Sequence, residues 1–262
     1  MAHRRGISST IIPNVLDFEN PPVVNTKRCA GFRESMGLKQ DDIIILQPTR
    51  VIKRKGIEYA IGLVKALEDP RYKLIISHEA GDEGFEYLEW VKECACEQGV
   101  DLRLVKTRVS DPWSDNIIDK HHYSLWDIYP HADFITYPSI IEGFGNAFLE
   151  AVYFKKPILI NRYDTFVRDI EPLGFDLAVM DGFLTRKTVQ KVKDILESPE
   201  KREKFVDKNY EIASRHYSYT ELKKRLNTIM MNFFGEYVPQ HIQKVVGYFT
   251  KYLMNDGSLM RT

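Results

Sequence analysis

Two acidic and two basic side chains occur at spacings that suit the binding of a phosphorylated ligand. Glu142 and Glu150 lie on either side of a short glycine-containing loop. Arg50 and Lys55 both follow an earlier apolar run. A carboxylate only accepts hydrogen bonds and can take both hydrogens of a sugar diol. An arginine fork and a lysine ammonium match phosphate oxygens.

The segment around the two glutamates has the pattern of a strand, a loop and a helix. An apolar run ends at Tyr137, a loop with Gly143 and Gly145 follows, and residues from Ala147 to Val152 have helical apolar spacing. The free N–H groups at the start of such a helix favour an anion such as phosphate. The pattern therefore predicts a phosphate-binding loop.

The helix in this segment is expected to carry polar residues on the face opposite its apolar stripe. Asn146 and Glu150 are four residues apart and share that face. Lys155 and Lys156 are expected in the last turn, where cations suit the helix dipole, and Pro157 ends the helix. Phosphate at the loop and hydroxyls at the carboxylates together indicate a site for a sugar nucleotide.

The glycine loop does not predict an NAD site. Gly143-Phe144-Gly145 resembles the start of a dinucleotide fingerprint, but Phe148 stands where the third glycine is required. The motif also follows the fourth predicted strand and not the first.

Short apolar runs alternate with helical patterns along most of the chain, which predicts an α/β fold with a doubly wound, Rossmann-like parallel sheet of about six strands followed by C-terminal helices. The predicted strands are 43–46, 74–76, 102–105, 134–137, 158–160 and 177–180. The predicted helices are 30–38, 57–67, 85–98, 121–129, 188–196, 199–214, 219–234 and 242–254. The loops 49–56 and 139–146 both leave carboxyl ends of strands, so we expect them to meet at one crevice.

Composition excludes several classes of protein. Lys+Arg and Asp+Glu are both 37, so no basic surface for nucleic acid is expected. No apolar run is long enough for a membrane span, and the N-terminus lacks a signal-peptide core. Cys29, Cys94 and Cys96 are too few for a disulfide framework, which indicates a reduced, cytoplasmic protein. His121 and His122 have no third ligand at metal spacing, so no metal is expected.

At these motifs the chain resembles glycosyltransferase family 4, the retaining GT-B enzymes that use nucleotide sugars. Glu142 and Glu150 match the family's E-x7-E motif within EGFGNAFLEA. Arg50 and Lys55 match its Arg and Lys within PTRVIKRKGIE. The resemblance covers about residues 10–235 and is to the C-terminal, donor-binding domain, so it implies one half of a GT-B fold.

The resemblance implies a role for each matching position. Arg50 and Lys55 would bind the diphosphate, Glu142 would contact the transferred sugar, and Glu150 would bind the ribose. The other implied binding residues, near the phosphates, the sugar and the base, are Thr49, Lys106, Thr107, Val109, Gly143, Phe144, Gly145 and Asn146. No cofactor is implied, since the nucleotide sugar is a substrate. Pro48-Thr49 replaces the glycine that usually precedes the Arg, and Val15 replaces one in the interdomain hinge.

The resemblance also implies a domain organisation. Residues 1–28 would be an N-terminal tail and interdomain connector, 29–235 the nucleotide-sugar-binding domain, and 236–262 a helical extension. Family members have an N-terminal acceptor domain, so the expected partner is such a domain or a partner subunit, and the chain alone is expected to transfer little sugar. An apolar stripe over 242–254 allows a homodimer through the last helix.

Several alternatives stay open. The chain could be a non-catalytic nucleotide-binding or assembly module, or a nucleotide-sugar epimerase of the GT-B fold. GDP-mannose and UDP-glucose are both plausible donors, because no residue of the loop 106–119 selects a base by type. The loop residues His78, Glu79 and Asp82 are minor candidates for a ligand or domain contact.

Overall fold

The structure is a computed structural model that describes residues 11–21, 29, 31–77, 85–105 and 123–234. These residues form two compact units. The larger unit holds the described residues from 29 to 212, and the smaller one holds 11–21 and 213–234. The boundaries expected at residues 28 and 235 stay predictions, because the chain on one side of each lies outside the described ranges.

Strands and helices alternate through the larger unit. The strands are β1 (Ile43–Gln47), β2 (Tyr72–Ile76), β3 (Leu102–Leu104), β4 (Phe134–Tyr137), β5 (Ile158–Asn161) and β6 (Ala178–Met180). The α-helices of the described chain are α1 (Phe32–Ser35), α2 (Ile57–Leu67), α3 (Glu86–Glu97), α4 (Leu125–Ile128), α5 (Asn146–Tyr153), α6 (Arg186–Glu197), α7 (Pro199–His216) and α8 (Tyr219–Phe234). Of these, α8 belongs to the smaller unit. Short 3-10 turns cover Lys53–Lys55, Tyr129–His131 and Glu171–Leu173, and a π-helix covers Phe166–Ile170.

The strands form one parallel sheet with the order β3-β2-β1-β4-β5-β6. The chain moves outward from β1 to β3 and then returns to place β4 beside β1. Ile45 and Leu46 of β1 pair with Phe134 and Ile135 of β4. In open sheets of this kind, ligands bind beyond the carboxyl ends of the strands at the point where the order reverses. The predicted doubly wound α/β fold is confirmed.

The core explains why these sequences form these elements. The central strands are apolar on both faces, and Ile44, Ile45 and Leu46 are fully buried, as parallel strands covered by helices on both sides must be. On α2 the apolar spacing places a buried face, including Ile57 and Ile61, against the sheet. Each such side chain contributes roughly 1.5–3 kcal/mol when it is removed from water.

Several predicted helix boundaries were wrong. The helix expected over 30–38 is α1, and its described residues are helical only over Phe32–Ser35. The helix expected over 121–129 is represented in the described residues by α4, which begins after Ser124. The Ser124 hydroxyl accepts from the Asp127 N–H, and the Asp127 carboxylate accepts from the Ser124 N–H, so a capping box fixes the start. Helix α5 ends at Tyr153, and Lys155 has φ of 50°. Lys155 and Lys156 therefore lie beyond the helix and not in its last turn.

The smaller unit has its own apolar cluster. Val15 packs with Tyr219 and Leu222 of α8, and Leu226 covers the group. A parallel bridge joins Leu16 to Ser218. The predicted helix over 242–254, and with it the homodimer interface, lies outside the described residues. Among the helices that are described, none combines the length and the apolar composition that a membrane span requires.

Lys156 is a largely buried lysine in the larger unit, so the pH dependence of stability can test its burial. Its ammonium donates to the Pro130 carbonyl at 2.9 Å, and burial lowers its pKa to about 8 from 10.5. Between pH 8 and pH 10.5 the unfolded chain therefore holds a proton that the folded chain has released. Since the unfolded state binds more protons, the free energy of unfolding rises with pH across this window. Below pH 8 the folded chain bears the full cost of burying the charged Lys156 ammonium.

Lys156→Met is expected to remove this pH-dependent penalty. The free energy of unfolding of the variant minus that of the wild type should fall by about 2 kcal/mol between pH 7 and pH 10. Chemical denaturation at the two pH values measures it. Lys65→Met, on the exposed face of α2, is the control and should show a constant offset. A constant difference for Lys156→Met would contradict the assignment.

Candidate functional site

The two loops predicted to share a crevice do meet, at the carboxyl ends of β1 and β4. The Ile140 N–H donates to the Arg54 carbonyl at 2.8 Å, which joins the β4–α5 loop to the β1–α2 loop. Gly56 has φ of 62°, and a Cβ there would lie 2.6 Å from the Pro138 carbonyl oxygen. Only glycine fits this position, so the close approach of the loops depends on Gly56.

An ion pair between Lys55 and Glu142 lies at the centre of the crevice. The Lys55 ammonium donates to the Glu142 carboxylate, and each side chain is only about a tenth exposed. The two residues are 87 positions apart in the chain. A shielded pair of this kind is electrostatically strong but leaves a costly charge when either partner is removed.

The surroundings of the pair add positive charge. Burial lowers the pKa of Lys55, and the charges of Arg54 and Arg50 lower it further, whereas Glu142 raises it. Arg54 also lies 3.6 Å from Glu142 and donates to the Ile141 carbonyl at 3.3 Å. Arg50 is exposed at the start of the same loop.

A buried glutamine positions the β1–α2 loop. Gln47, at the end of β1, has no exposed surface. Its amide nitrogen donates to the Thr49 hydroxyl at 3.0 Å and to the Lys55 carbonyl at 3.4 Å, and its amide oxygen accepts from the Thr136 hydroxyl of β4 at 2.7 Å. This side chain therefore ties the backbone of Lys55 to the strand that leads into the Glu142 loop.

The glycine loop is held from the side of β5. The Tyr163 hydroxyl donates to the Phe144 carbonyl at 2.8 Å, and Thr165 donates to the Glu142 carbonyl at 3.3 Å. Gly145 precedes α5 with φ of 102°, and a Cβ there would lie 2.4 Å from the Tyr163 hydroxyl. Around Gly143, by contrast, a Cβ would meet nothing within 4 Å. Gly145 is the glycine that the loop geometry requires.

Glu150 is held by a tyrosine that the sequence did not single out. The buried Tyr129 hydroxyl donates to the Glu150 carboxylate at 3.0 Å. Burial, and then the charge of Glu150, raise the pKa of Tyr129 well above its ordinary value, so this hydroxyl keeps its proton. Asn146 lies exposed one turn earlier on α5, so the two polar residues expected on one helix face are both accessible from outside the core.

A second tyrosine lies under the other carboxylate. Tyr137, at the end of β4, is buried, and burial raises the pKa of its hydroxyl well above the ordinary value. The charge of Glu142 raises it further. The Lys55 ammonium lies 5.6 Å from the centre of the Tyr137 ring, within cation–π distance. Lys55 is thus fixed between a carboxylate and an aromatic face.

The structure brings together most of the predicted residues. Arg50, Lys55 and Thr49 come from the β1–α2 loop, and Glu142 through Glu150 come from the β4–α5 segment. Lys106, Thr107 and Val109, expected near the base, lie outside the described residues, as do His78, Glu79, Asp82, His121 and His122. Within the described ranges, no group of three or more His, Cys, Asp or Glu side chains is arranged to hold a metal ion.

Sequence reasoning missed the residues that position these loops. Three of them are polar residues inside buried strands: Gln47, Thr136 and Asn161. A polar residue in an otherwise apolar strand could have indicated a positioning role. Asn161 donates to the Ser139 carbonyl at 3.1 Å and accepts from the Gly182 N–H at 2.9 Å, so it supports the β4–α5 loop. Tyr129 and Tyr163 carry no local signal, because their partners are distant in the chain.

A family model supplies the first comparison with known proteins. Residues 113–212 match the model described as glycosyl transferases group 1. The matched segment contains both Glu142 and Glu150, together with the glycine loop between them. The chain contains a glycosyltransferase group 1 domain. The expected glycosyltransferase assignment is confirmed at this level.

Two curated relatives carry the same name. The chain is 32% identical over 257 residues to mannosylglucosylglycerate synthase of Thermotoga maritima, covering 87% of this chain and 57% of that protein. It is 36% identical over 194 residues to mannosylglucosylglycerate synthase of Petrotoga mobilis, covering 68% of this chain and 44% of that protein. The chain thus spans about half the length of the curated relatives it matches.

Solved structures share the fold of the glycosyltransferase domain. Anabaena Alr3699/HepE, solved in complex with UDP, superposes with a TM-score of 0.68 at 14% identity. The match covers 88% of this chain and 60% of that one. At this identity the likeness shows a common fold, and it agrees with the Rossmann-like sheet predicted from the sequence. The neighbours of this kind are GT-B glycosyltransferases.

Proposed function

We propose that this chain is the nucleotide-sugar-binding half of a retaining glycosyltransferase that transfers a mannosyl group from GDP-mannose. The observation that carries the proposal is the Lys55–Glu142 pair at the point where the strand order reverses. It places a cation and a carboxylate side by side where a sheet of this type binds ligands. In the relatives' name the mannosyl group stands on glucosylglycerate, which favours mannose over glucose as the donor sugar.

The diphosphate of the donor binds between the two loops. Lys55 and Arg50 contact its oxygens, and the N–H groups at Gly145 and Asn146 add the partial positive charge of the helix start. When the bond between the sugar and the diphosphate breaks, the leaving oxygen keeps the electron pair. Fixed cations that face this developing charge stabilise the transition state without a metal or other cofactor.

Each of the two carboxylates accepts hydrogen bonds from one of the two sugars of the donor. Glu142 gives up part of its contact with Lys55 and accepts from hydroxyls of the transferred mannose. Glu150 accepts from the ribose diol, which suits a carboxylate because it has no hydrogen to donate. Thr49, Gly143 and Phe144 line the phosphates, and Lys106, Thr107 and Val109 are the residues proposed to recognise the base.

The acceptor is proposed to be a glycerate glycoside such as glucosylglycerate, after the name of the relatives. The acceptor site is proposed to lie in a part that corresponds to the rest of the relatives' length. The chain by itself should therefore bind nucleotide and transfer little sugar. Addition of the N-terminal half of the Thermotoga maritima relative should restore transfer.

A nucleotide panel and a transfer assay test the proposal. In a thermal-shift panel of GDP, UDP and ADP, GDP should give the largest rise in the unfolding temperature. Transfer from GDP-mannose to glucosylglycerate should appear only with the added half, and the product should retain the anomeric configuration of the donor. No shift with any nucleoside diphosphate would overturn the proposal.

The same assays separate the alternatives. Conversion of the donor sugar without any acceptor would indicate an epimerase. Tight nucleotide binding with no transfer in the presence of the added half would indicate an assembly module. Robust transfer by the chain alone would contradict the proposal that the cleft is incomplete.

A further inference from the structure

Glu150 is held by a residue that is more deeply buried than Glu150 itself. Tyr129 is fully buried, and its ring stacks on Phe154 with a centroid separation of 4.9 Å and an interplanar angle of 4°. Its hydroxyl lies 3.0 Å from the Glu150 carboxylate and 3.4 Å from the Ala147 carbonyl of the same helix. The hydroxyl is therefore fixed over the first turns of α5.

The hydrogen bond matters because of what a glutamate loses on binding. A partly exposed glutamate has rotamer freedom that a bound ligand must remove. A buried phenol that already holds one carboxylate oxygen removes much of this cost before the ligand arrives. One donated hydrogen bond uses only one of the carboxylate's roughly four acceptor positions, so Tyr129 does not itself block a diol.

We propose that Tyr129 is a positioning residue that sets the preference of this site for a ribose over a 2′,3′-dideoxyribose. This inference rests on the proposed function, in which Glu150 accepts from the ribose hydroxyls. Tyr129 acts through Glu150 and does not touch the nucleotide. Its removal should therefore weaken only the part of the affinity that comes from the ribose diol.

Tyr129→Phe tests the inference, because it deletes the hydroxyl and keeps the buried ring. Calorimetric titration of wild type and variant would use GDP or UDP, whichever binds the wild type more tightly, and the 2′,3′-dideoxy form of the same nucleotide. We expect the variant to bind the ribonucleotide about fivefold more weakly and the dideoxy form less than twofold more weakly. The ratio of the two affinities does not depend on the fraction of protein that is folded.

Two further variants fix the interpretation. Tyr72→Phe deletes the hydroxyl of another buried tyrosine, which is the first residue of β2 and so lies at the amino ends of the strands, away from the candidate site. This variant should leave both affinities unchanged. Glu150→Gln should lose the ribose preference at least as strongly as Tyr129→Phe. A loss of equal size for both nucleotides in Tyr129→Phe would assign Tyr129 a structural role and overturn the inference.

The outcomes distinguish this inference from the proposed function. Suppose that the wild type prefers ribose, that Glu150→Gln loses this preference and that Tyr129→Phe keeps it. This result would overturn the inference about Tyr129 and leave the proposed function standing. If the wild type binds the nucleotide without any ribose preference, the proposed binding of the ribose by Glu150 is wrong, and the inference about Tyr129 is overturned with it. If the wild type binds no nucleoside diphosphate, the proposed function is overturned as well.

Discussion

Lys55→Met is expected to weaken the binding of a nucleoside diphosphate by about 10- to 150-fold. A hydrogen bond to a charged group contributes about 1.5–3 kcal/mol, and each 1.4 kcal/mol is a factor of ten. The methionine keeps most of the side-chain volume between Glu142 and the Tyr137 ring, so the change removes mainly the charge. Isothermal titration calorimetry with GDP and UDP measures the effect.

Lys53→Met is the matched control for this change. Lys53 lies in the same 3-10 turn as Lys55, and its side chain is exposed. An exposed lysine that makes no specific contact contributes only through screened, long-range attraction. The control should therefore change the affinity less than threefold at physiological salt. Equal losses in the two variants would show that only the overall charge of the loop matters.

Glu142→Gln is expected to act in the opposite direction on the same measurement. The Glu142 carboxylate is paired with Lys55, and its charge would oppose an incoming diphosphate. The variant should bind the nucleoside diphosphate several-fold more tightly and lose most of the added affinity of the sugar in GDP-mannose. A weaker affinity for the diphosphate alone would contradict the proposed exchange of partners by Lys55.

Gly56→Ala is expected to lower the free energy of unfolding by about 2–5 kcal/mol. A non-glycine residue at positive φ costs about 1–2 kcal/mol, and Gly56 has φ of 62°. The added Cβ would also lie 2.6 Å from the Pro138 carbonyl oxygen, and such overpacking costs about 1–3 kcal/mol more. Chemical denaturation measures the loss.

Gly99→Ala separates the two contributions to this loss. Gly99 has φ of 67°, and a Cβ there would meet nothing within 4 Å. It should therefore lose only the conformational part, about 1–2 kcal/mol. Gly56→Ala should also weaken nucleotide binding, because it pushes the β1–α2 loop away from the β4–α5 loop. Equal stability losses in the two variants would contradict the steric account.

The sequence predicted the sheet well because its strands are buried on both faces. The run Ile43–Leu46 has no polar interruption, and the run Phe134–Tyr137 has only Thr136, whose side chain is buried. Such runs have few other stable arrangements in a covered sheet. The alternation of strands and helices then limits the topology to a doubly wound sheet. The carboxyl-edge position of both loops follows directly from that topology.

The finer geometry of the site could not be predicted from local pattern. The contact of Lys55 with Glu142 depends on the pairing of β1 with β4, which no local sequence signal specifies. The end of α5 was misjudged because Lys155 takes a left-handed conformation, which sequence patterns normally assign to glycine or asparagine.

The residues that hold the site residues in place were the least predictable part of the site. The first strand was predicted to end at residue 46, and Gln47 was given no role, whereas its amide holds the backbone of Lys55. Tyr129 lies 21 residues before Glu150, and only the folded chain shows that its hydroxyl holds that carboxylate. Residues that position a site need no particular spacing, so periodicity and motif matching do not find them.

The affinity difference between a nucleoside diphosphate and its monophosphate tests the central claim most directly. If Lys55, Arg50 and the start of α5 together hold the β-phosphate, GDP or UDP should bind the wild-type chain at least about tenfold more tightly than GMP or UMP. Calorimetric titration in a buffer that contains a chelator measures both. Equal affinities for the two nucleotides, or no binding of either, would contradict the account.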